Sequence, residues 1–431
     1  MNTKSQINGA ERRLDIKVVI SALKNASAYF RMLEPSVSQR YMLALLFLKY
    51  ISDQVEGGSP IPMPPHSKFS VLFQKREAQH IGPLVNIAIQ EFATANKGLL
   101  DGVFGGMDFD GPTGFSVENW RHSIRKSLEL IHALDLKAPW PDLMNEVYGH
   151  LVARTEKYTG AYFTPLEVAS LIPELLELKP GETICDPACG TGNLLLSSGR
   201  YLQAKGAGDV RLFGQEFSED HWMVAKMNLF LNGWSGRLEW EDTLWYPQLL
   251  NGKGQLLKFD VIVANPPFSS KGWGAEKAKM DPHNRFDRGV PQANRIDMAF
   301  LSHIVETMNS KTGRVAVILP LGSLTRKGSD QKIRQALIEE NLVDAVIGLP
   351  SKIFKNILCV AIVILKKQRP DKSILFIDGS EEYKPGKRMI LTEEGASRIV
   401  SAYQWRTNEG GFARLVPCSE IQKAALNPNF Y

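Results

Sequence analysis

The spacing of apolar and polar positions changes character once along the 431-residue chain. Up to about residue 150 the period is helical. In SVSQRYMLALLFLKYISDQV (36–55), Tyr41, Leu45, Leu48 and Ile51 recur at helical intervals, while Met42, Leu46 and Lys49 widen the stripe. Ser36, following Pro35, is the expected N-cap. GGSPIPMPPHSKFS (57–70) is too rich in Pro and Gly for anything but a loop. Further helices are expected around 83–97, 116–134 and 141–156. No cluster of catalytic residue types falls in this stretch, so residues 1–150 read as an all-α packing or docking domain.

From about residue 158 short apolar runs alternate with amphipathic segments, the pattern of βαβ units around a parallel sheet. Strands are expected at 182–186, 210–215, 237–240, 259–264, 314–319, 343–348 and 359–365. Helices are expected at 166–178, 192–204, 218–232, 295–309 and 329–341. The last two strands lie close in sequence, which predicts a hairpin-like antiparallel addition at one sheet edge. A short strand (374–377), a helix near 392–403 and irregular sequence then complete a short C-terminal extension of this 151–431 domain.

Composition narrows the setting. Hydrophobic residues make up 44% and charged residues 23% of the chain, as in ordinary globular proteins. No apolar run approaches the roughly 20 residues of a membrane span, and the polar N-terminus has no secretory signal. A cytoplasmic protein without a membrane partner is expected. Net charge is +5, compatible with a nucleic-acid partner without arguing for one. Of four cysteines, Cys185 and Cys189 lack a second pair or nearby His to complete a metal set, and Cys359 reads as a small core residue. No metal is expected.

Chemistry concentrates where the strands end. The first strand closes on Asp186 and runs into PACGTGN, a Gly-x-Gly turn that lets a ligand approach the backbone at a helix N-terminus. Position 195 is Leu, so the pattern is not GxGxxG, and an acid is a poor neighbour for pyrophosphate. A carboxylate there suits a cation such as an amino-acid ammonium. Glu216, at the end of the second strand, is placed to accept from ribose hydroxyls, and Asp242, after the third, from an exocyclic amine. Ammonium, ribose and adenine without a phosphate describe S-adenosylmethionine better than NAD or ATP. Each acid also has a plain structural alternative: helix N-cap, solvated strand end and turn former, respectively.

The fourth strand ends in Asn265-Pro266-Pro267-Phe268. An exocyclic amine on a base is a poor nucleophile, because its lone pair is delocalised into the ring. Two acceptors, the Asn265 side-chain oxygen and the Pro266 carbonyl, would favour a pyramidal nitrogen, and the stiff prolines would keep them aimed. Phe268 would stack on a base flipped out of the duplex. The alternative is a stiffened strand exit with a core phenylalanine. The segment 269–297, with its Gly, Lys, Arg and Trp273, is expected either to close over the base or track phosphates, or to be a plain solvated loop.

These stretches carry a family resemblance. TGAYFTP (159–165), DPACGTGN (186–193), GQE (214–216), EDTL (241–244) and ANPPF (264–268) resemble the motifs of γ-type amino-methyltransferases acting on DNA adenine. LLFLKYISD (45–53), HNRFDRGVPQANRIDMAFLSHIV (283–305), LPLGSL (319–324), KIRQALIEENLVDAVIGLPSKIF (332–354) and ILFIDGS (374–380) are similar to the modification subunit of type I restriction–modification systems. The resemblance implies an all-α N-terminal domain followed by a Rossmann-like, S-adenosylmethionine-dependent methyltransferase domain. It implies transfer of a methyl group to N6 of adenine in a specific double-stranded DNA sequence. A separate specificity subunit would read that sequence, with a restriction subunit in the full complex. It also implies that Ala161, Tyr162, Phe163, Thr164 and Pro165 line the cofactor, with Asp186, Pro187, Ala188, Gly190, Thr191, Gly192, Asn193, Glu216 and Asp242. Asn265, Pro266, Pro267 and Phe268 would take the target adenine. Members of the family often continue past the point where NPNFY stands into a helical tail that contacts the specificity subunit. They also often carry a Gly-rich stretch where this chain has KNILCVAIV.

Overall fold

A computed structural model describes residues 13–111, 114–152, 164–268, 272–354, 359–386 and 389–423. Residues 1–155 with Lys226–Gly233 form one compact unit, and Glu156–Ala225 with Trp234–Tyr431 form a second.

Among the described residues of the first unit the helices begin with α1 (Ile16–Ser27), α2 (Pro35–Glu56), α3 (Phe69–Gln74), α4 (Ile81–Ala95), α5 (Val117–His132) and α6 (Leu143–Val152). Asp15 caps α1, its side chain accepting from the Lys17 N–H at 2.9 Å. In α2 the expected cap is displaced: Pro35 takes the first helical position, where a missing N–H costs nothing, and Ser36 lies inside the helix. The expected one-sided stripe is also exceeded, since every residue from Tyr41 to Asp53 is buried. A helix apolar nearly all round is a core helix. The buried Lys49 ammonium is paired with Asp53, whose Oδ2 also accepts from the Leu136 N–H at 3.1 Å. Rings fill the rest of this core: Phe30 packs edge-on to Trp120 at 5.0 Å, and Phe47 and Phe92 receive Phe230 at 5.6 and 6.0 Å.

The second unit is a nine-stranded sheet with helices. Its strands are β1 (Thr183–Asp186), β2 (Arg211–Glu216), β3 (Gly236–Trp240), β4 (Val261–Ala264), β5 (Arg314–Pro320), β6 (Val343–Gly348), β7 (Val360–Lys366), β8 (Ser373–Asp378) and β11 (Ala413–Pro417). A separate pair is formed by β9 (Tyr383–Lys384) and β10 (Ile390–Leu391). The order is β11-β8-β6-β7-β5-β4-β1-β2-β3. All neighbours are parallel except β7, antiparallel to both β5 and β6, and β11, antiparallel to β8. The helices are α7 (Leu166–Leu176), α8 (Asn193–Ala204), α9 (Glu219–Leu231, of which only 219–225 belong to this unit), α10 (Ile296–Thr307), α11 (Leu321–Thr325), α12 (Ser329–Glu339), α13 (Glu393–Gln404) and α14 (Cys418–Lys423).

Burial follows from strand sequence. VIVA of β4 is buried throughout, as a central strand covered on both faces must be. GRLEW of β3 is only partly buried, as suits an edge. The expectation for 359–365 is corrected: β7 is no edge addition but is inserted between β5 and β6. Its continuous apolar run is what an interior position requires. The edge on that side is β8 and β11, and β11 lies in sequence that reads as irregular. Cys359 is exposed rather than in the core, because it precedes the first residue of β7. Among the described residues, no helix is long and apolar enough to cross a membrane.

Candidate active site

β1, β2, β3 and β4 are parallel neighbours, so their carboxyl ends share one edge of the sheet. Asp186 ends β1 and Glu216 ends β2. Asp242 lies two residues past β3, and Asn265 follows β4 directly.

The turn after Asp186 is held by its own backbone. Asp186 Oδ1 accepts from the Ala188 N–H at 3.0 Å, and Glu216 Oε2 from the Gly190 N–H at 2.8 Å. The Cys189 N–H donates to the Gln215 carbonyl at 3.1 Å. Gly190 and Gly192 sit at φ of 53° and 88°, a left-handed backbone that favours glycine, and a Cβ at Gly190 would meet no atom within 4 Å. The loop therefore presents open backbone at the start of α8. Glu216 is also engaged through Oε1 with the Ser218 N–H at 2.8 Å. The plain strand-end alternative for Glu216 is thus too weak, since its carboxylate ties β2 to the glycine turn.

Asp186 is almost completely buried, at 1% exposure. Burial raises its carboxyl from 3.8 to about 8; the bond from Ala188 opposes that shift and the charge of Glu216 adds to it. A buried carboxylate of this kind is stabilised in its ionised form by any cation brought against it. Cys185 in β1 and Cys189 in the loop itself are buried, and burial pushes both thiols well up, so neither is a reactive thiolate.

Asp242 is a turn former as well as an acid at the site. Its Oδ1 accepts from the N–H groups of Leu244 and Trp245 at 2.8 and 3.1 Å. Thr243 joins this turn to the glycine loop, its hydroxyl donating to the Pro187 carbonyl at 2.7 Å.

Around the knot, Asn265 is half-buried and its Nδ2 donates to Thr164 Oγ1 at 3.0 Å. The Thr164 carbonyl accepts from Asn193 Nδ2 at 3.4 Å, so Thr164 joins the knot to the first residue of α8. Pro165 caps α7. Ala161, Tyr162 and Phe163 lie outside the described residues, as do 355–358 of the KNILCVAIV stretch and the NPNFY end. Phe268 meets Phe354 edge-on at 6.3 Å. Sequence reasoning gave Phe354 no role. It closes the stretch 332–354 that carries the family resemblance, and its place follows from topology, since β6 runs parallel to β5 and β4 across β7 and delivers 349–354 to the same edge.

Of the segment 269–297, residues 269–271 lie outside the described residues; from 272 on it is not a plain solvated loop. Trp273, Ala278 and Phe286 are buried with Leu244, Ala299 and Phe300, and Ala188 and Trp245 pack against this cluster. Trp245 stacks on Trp273 and donates from Nε1 to its carbonyl at 2.8 Å. Gly274 is a necessity here: a Cβ would lie 2.1 Å from Trp245 Cζ2.

Comparison with known proteins places the chain in a family. Residues 140–431 match the family N-6 DNA Methylase. A methylase subunit of the type I restriction enzyme MjaVII, from Methanocaldococcus jannaschii, is 30% identical over 94% of this chain and 76% of its own length. The MjaVIII methylase subunit of the same organism is 31% identical over 79% of this chain, which spans 62% of that relative. In three dimensions the chain is similar to a type I restriction-modification methyltransferase subunit from Streptococcus thermophilus. The TM-score is 0.79 at 24% identity, over 96% of this chain and 99% of that one. With a Rossmann-like α/β sheet whose carboxyl edge gathers these motifs, the chain belongs to the N-6 DNA methylase family, alongside the methylase subunits of type I restriction systems, and is by that membership a site-specific adenine DNA methyltransferase.

Proposed function

We propose that this protein transfers the methyl group of S-adenosylmethionine to N6 of adenine in a specific double-stranded DNA sequence. It would act in the cytoplasm as the modification subunit of a type I system. A separate specificity subunit would read the sequence, and a restriction subunit would join the full complex. The observation that carries this reading is the convergence at one sheet edge of three carboxylates and the Asn-Pro-Pro-Phe knot, in which Thr164 links Asn265 to Asn193 at the start of α8.

The residues fit the cofactor's chemistry. Open backbone at Gly190 allows close approach, and a buried carboxyl raised to about 8 gains most from a cationic partner. Asp186 would hold the ammonium, and Glu216 the ribose hydroxyls through the lone pairs left beside its two backbone bonds. Asp242, with Oδ1 spent on its turn, would take the exocyclic amine through Oδ2. Pro187, Ala188, Thr191, Gly192 and Asn193 would form the wall, and the stretch Ala161–Pro165 would close the methionine end. When bound, S-adenosylmethionine supplies an electrophilic methyl group on a sulfonium.

Everything else falls to the chain. Asn265, its Nδ2 engaged by Thr164, would turn its oxygen to the target amine. Together with the Pro266 carbonyl it would accept both amine hydrogens, leaving the lone pair aimed at the methyl group. Pro267 keeps the exit stiff. Phe268, braced edge-on by Phe354, would stack on the flipped adenine.

The test is transfer of labelled methyl groups to duplex DNA in the presence of the specificity subunit. Label is expected on adenine N6, and Asn265→Ala should lower kcat about a hundredfold or more, by analogy with loss of a preorganised polar group. Label appearing on RNA or protein instead of DNA, or an Asn265→Ala variant as fast as the parent, would overturn the reading.

A further inference from the structure

Arg285 is a charged side chain in a dry place, 3% exposed. Its guanidinium holds Asp281 Oδ1 through Nε and Nη2 at 2.9 and 2.7 Å, and its own N–H donates to Asp281 Oδ2 at 2.7 Å. The remaining donors leave the segment altogether. Nη1 donates to the Thr243 carbonyl at 3.2 Å and Nη2 to the Leu244 carbonyl at 2.6 Å. Nη1 also lies 3.2 Å from Nδ1 of the buried His303 on α10. Burial and the neighbouring Arg285 charge push His303 well below its ordinary value, so the ring is neutral and has a nitrogen to accept with.

A buried ion pair is a poor device for stability alone, since an apolar replacement of similar volume often does as well or better. This one spends its donors on the two carbonyls directly after Asp242. The same turn is bonded to the glycine loop through Thr243 and Pro187, and to the segment after the knot through Trp245 and the Trp273 carbonyl. One guanidinium therefore stands where the cofactor turn, the glycine loop and the segment following the target-base knot are joined.

We infer that Arg285 is a positioning residue for methyl transfer, which with Asp281 fixes the 242–245 turn in the orientation that presents Asp242. The inference rests on the proposed reading of the cofactor site. Only a planar fork serves a carboxylate and two separate carbonyls at once, so lysine is an incomplete substitute. Without the fork the turn samples other orientations, and cofactor binding has to select one of them.

The experiment is calorimetric titration of S-adenosylhomocysteine into the parent chain and five variants: Asp186→Ala, Asp242→Ala, Arg285→Gln, Arg285→Lys, and the Asp242→Ala/Arg285→Gln pair. Arg285→Gln is expected to weaken binding about tenfold, the scale of charge-assisted bonds lost at a buried site. Arg285→Lys should recover part of that loss. Because both residues act through one turn, the double variant should bind no more weakly than the weaker single variant. A merely structural arginine would instead give effects that add. Additive effects, or parent-like binding by Arg285→Gln, overturn the inference while leaving the cofactor reading intact. Failure of the parent to bind, or parent-like binding by Asp186→Ala, overturns the cofactor reading itself. Should Arg285→Gln not fold, Asp281→Asn takes its place in the same cycle, with the same outcomes.

Discussion

Two glycine-bearing segments leave buried strands at the same sheet edge, and they are kept in place by opposite means. The loop 187–193 is short and ordered by backbone amides: Ala188 on Asp186, Cys189 on Gln215, Gly190 on Glu216. The segment 272–295 is long and ordered by side chains, above all Trp245, Trp273, Arg285 and Phe286. The first can stay open to a ligand because its order needs nothing on its outer side. The second is closed by its own small core, so it forms a wall rather than a flap. Both carry glycine at positive φ, yet at Gly190 the space beside the α-carbon is empty and at Gly274 it is filled by an indole.

Substitution separates the two segments, and the largest effect belongs to the packed one. Gly274→Ala puts a methyl group into Trp245 and a side chain at φ of 81°. Overpacking and left-handed strain together should cost about 3 kcal/mol or more, read as a lowered denaturation midpoint and faster amide exchange across 272–295. Unchanged stability would mean that the two tryptophans do not hold this segment.

Next in size is the pH response of the backbone-ordered loop. Free Asp186 has its carboxyl at about 8, so near neutrality it carries a proton. Pairing with a cation expels that proton. Cofactor affinity should therefore rise with pH, by up to tenfold per unit from about pH 6 to about 8, and then level off. Titrations in buffers of different ionisation heat should report proton release, and Asp186→Asn should flatten the profile. Proton uptake, or no linkage at all, would refute it.

The smallest effect is Gly190→Ala, where only backbone strain opposes the change. A loss of about 1 kcal/mol in stability is expected, with a greater proportional loss of cofactor affinity if the backbone there is approached closely. An equal loss at Gly190 and Gly274 would erase the distinction between the two segments.

The same contrast explains what could be read in advance. Strand ends carrying Asp186, Glu216 and Asn265 are legible because a parallel sheet turns sequence order into shared position. The Gly190 turn is legible because the residues that shape it are near neighbours in sequence. Order in 272–295 depends on partners 28 and 42 residues back, Trp245 for Trp273 and Thr243 for Arg285. Local pattern carries no trace of such pairings, and a mix of Gly, Lys and Arg then resembles a solvated loop. Placement of β7 failed for a related reason: closeness in sequence favours a hairpin at the edge, while the all-apolar VAIVIL run asks for two neighbours. In α2 the stripe is correctly sited, Lys49 included, but undercounted, because periodicity alone does not show that the residues between its members are buried too.

The inserted strand has a bearing on how the chain comes to be made. β5 and β6 are separated in the sheet by a strand that follows both in sequence. As the polypeptide leaves the ribosome, β1 to β5 can pair with one another in turn. β6 must wait, with the β5 edge open, until residues 360–366 emerge, and β8 and β11 add beyond β6 later still. The nascent chain thus spends the time needed to make about forty residues with the edge of a strand that is apolar from Val315 to Leu319 left bare.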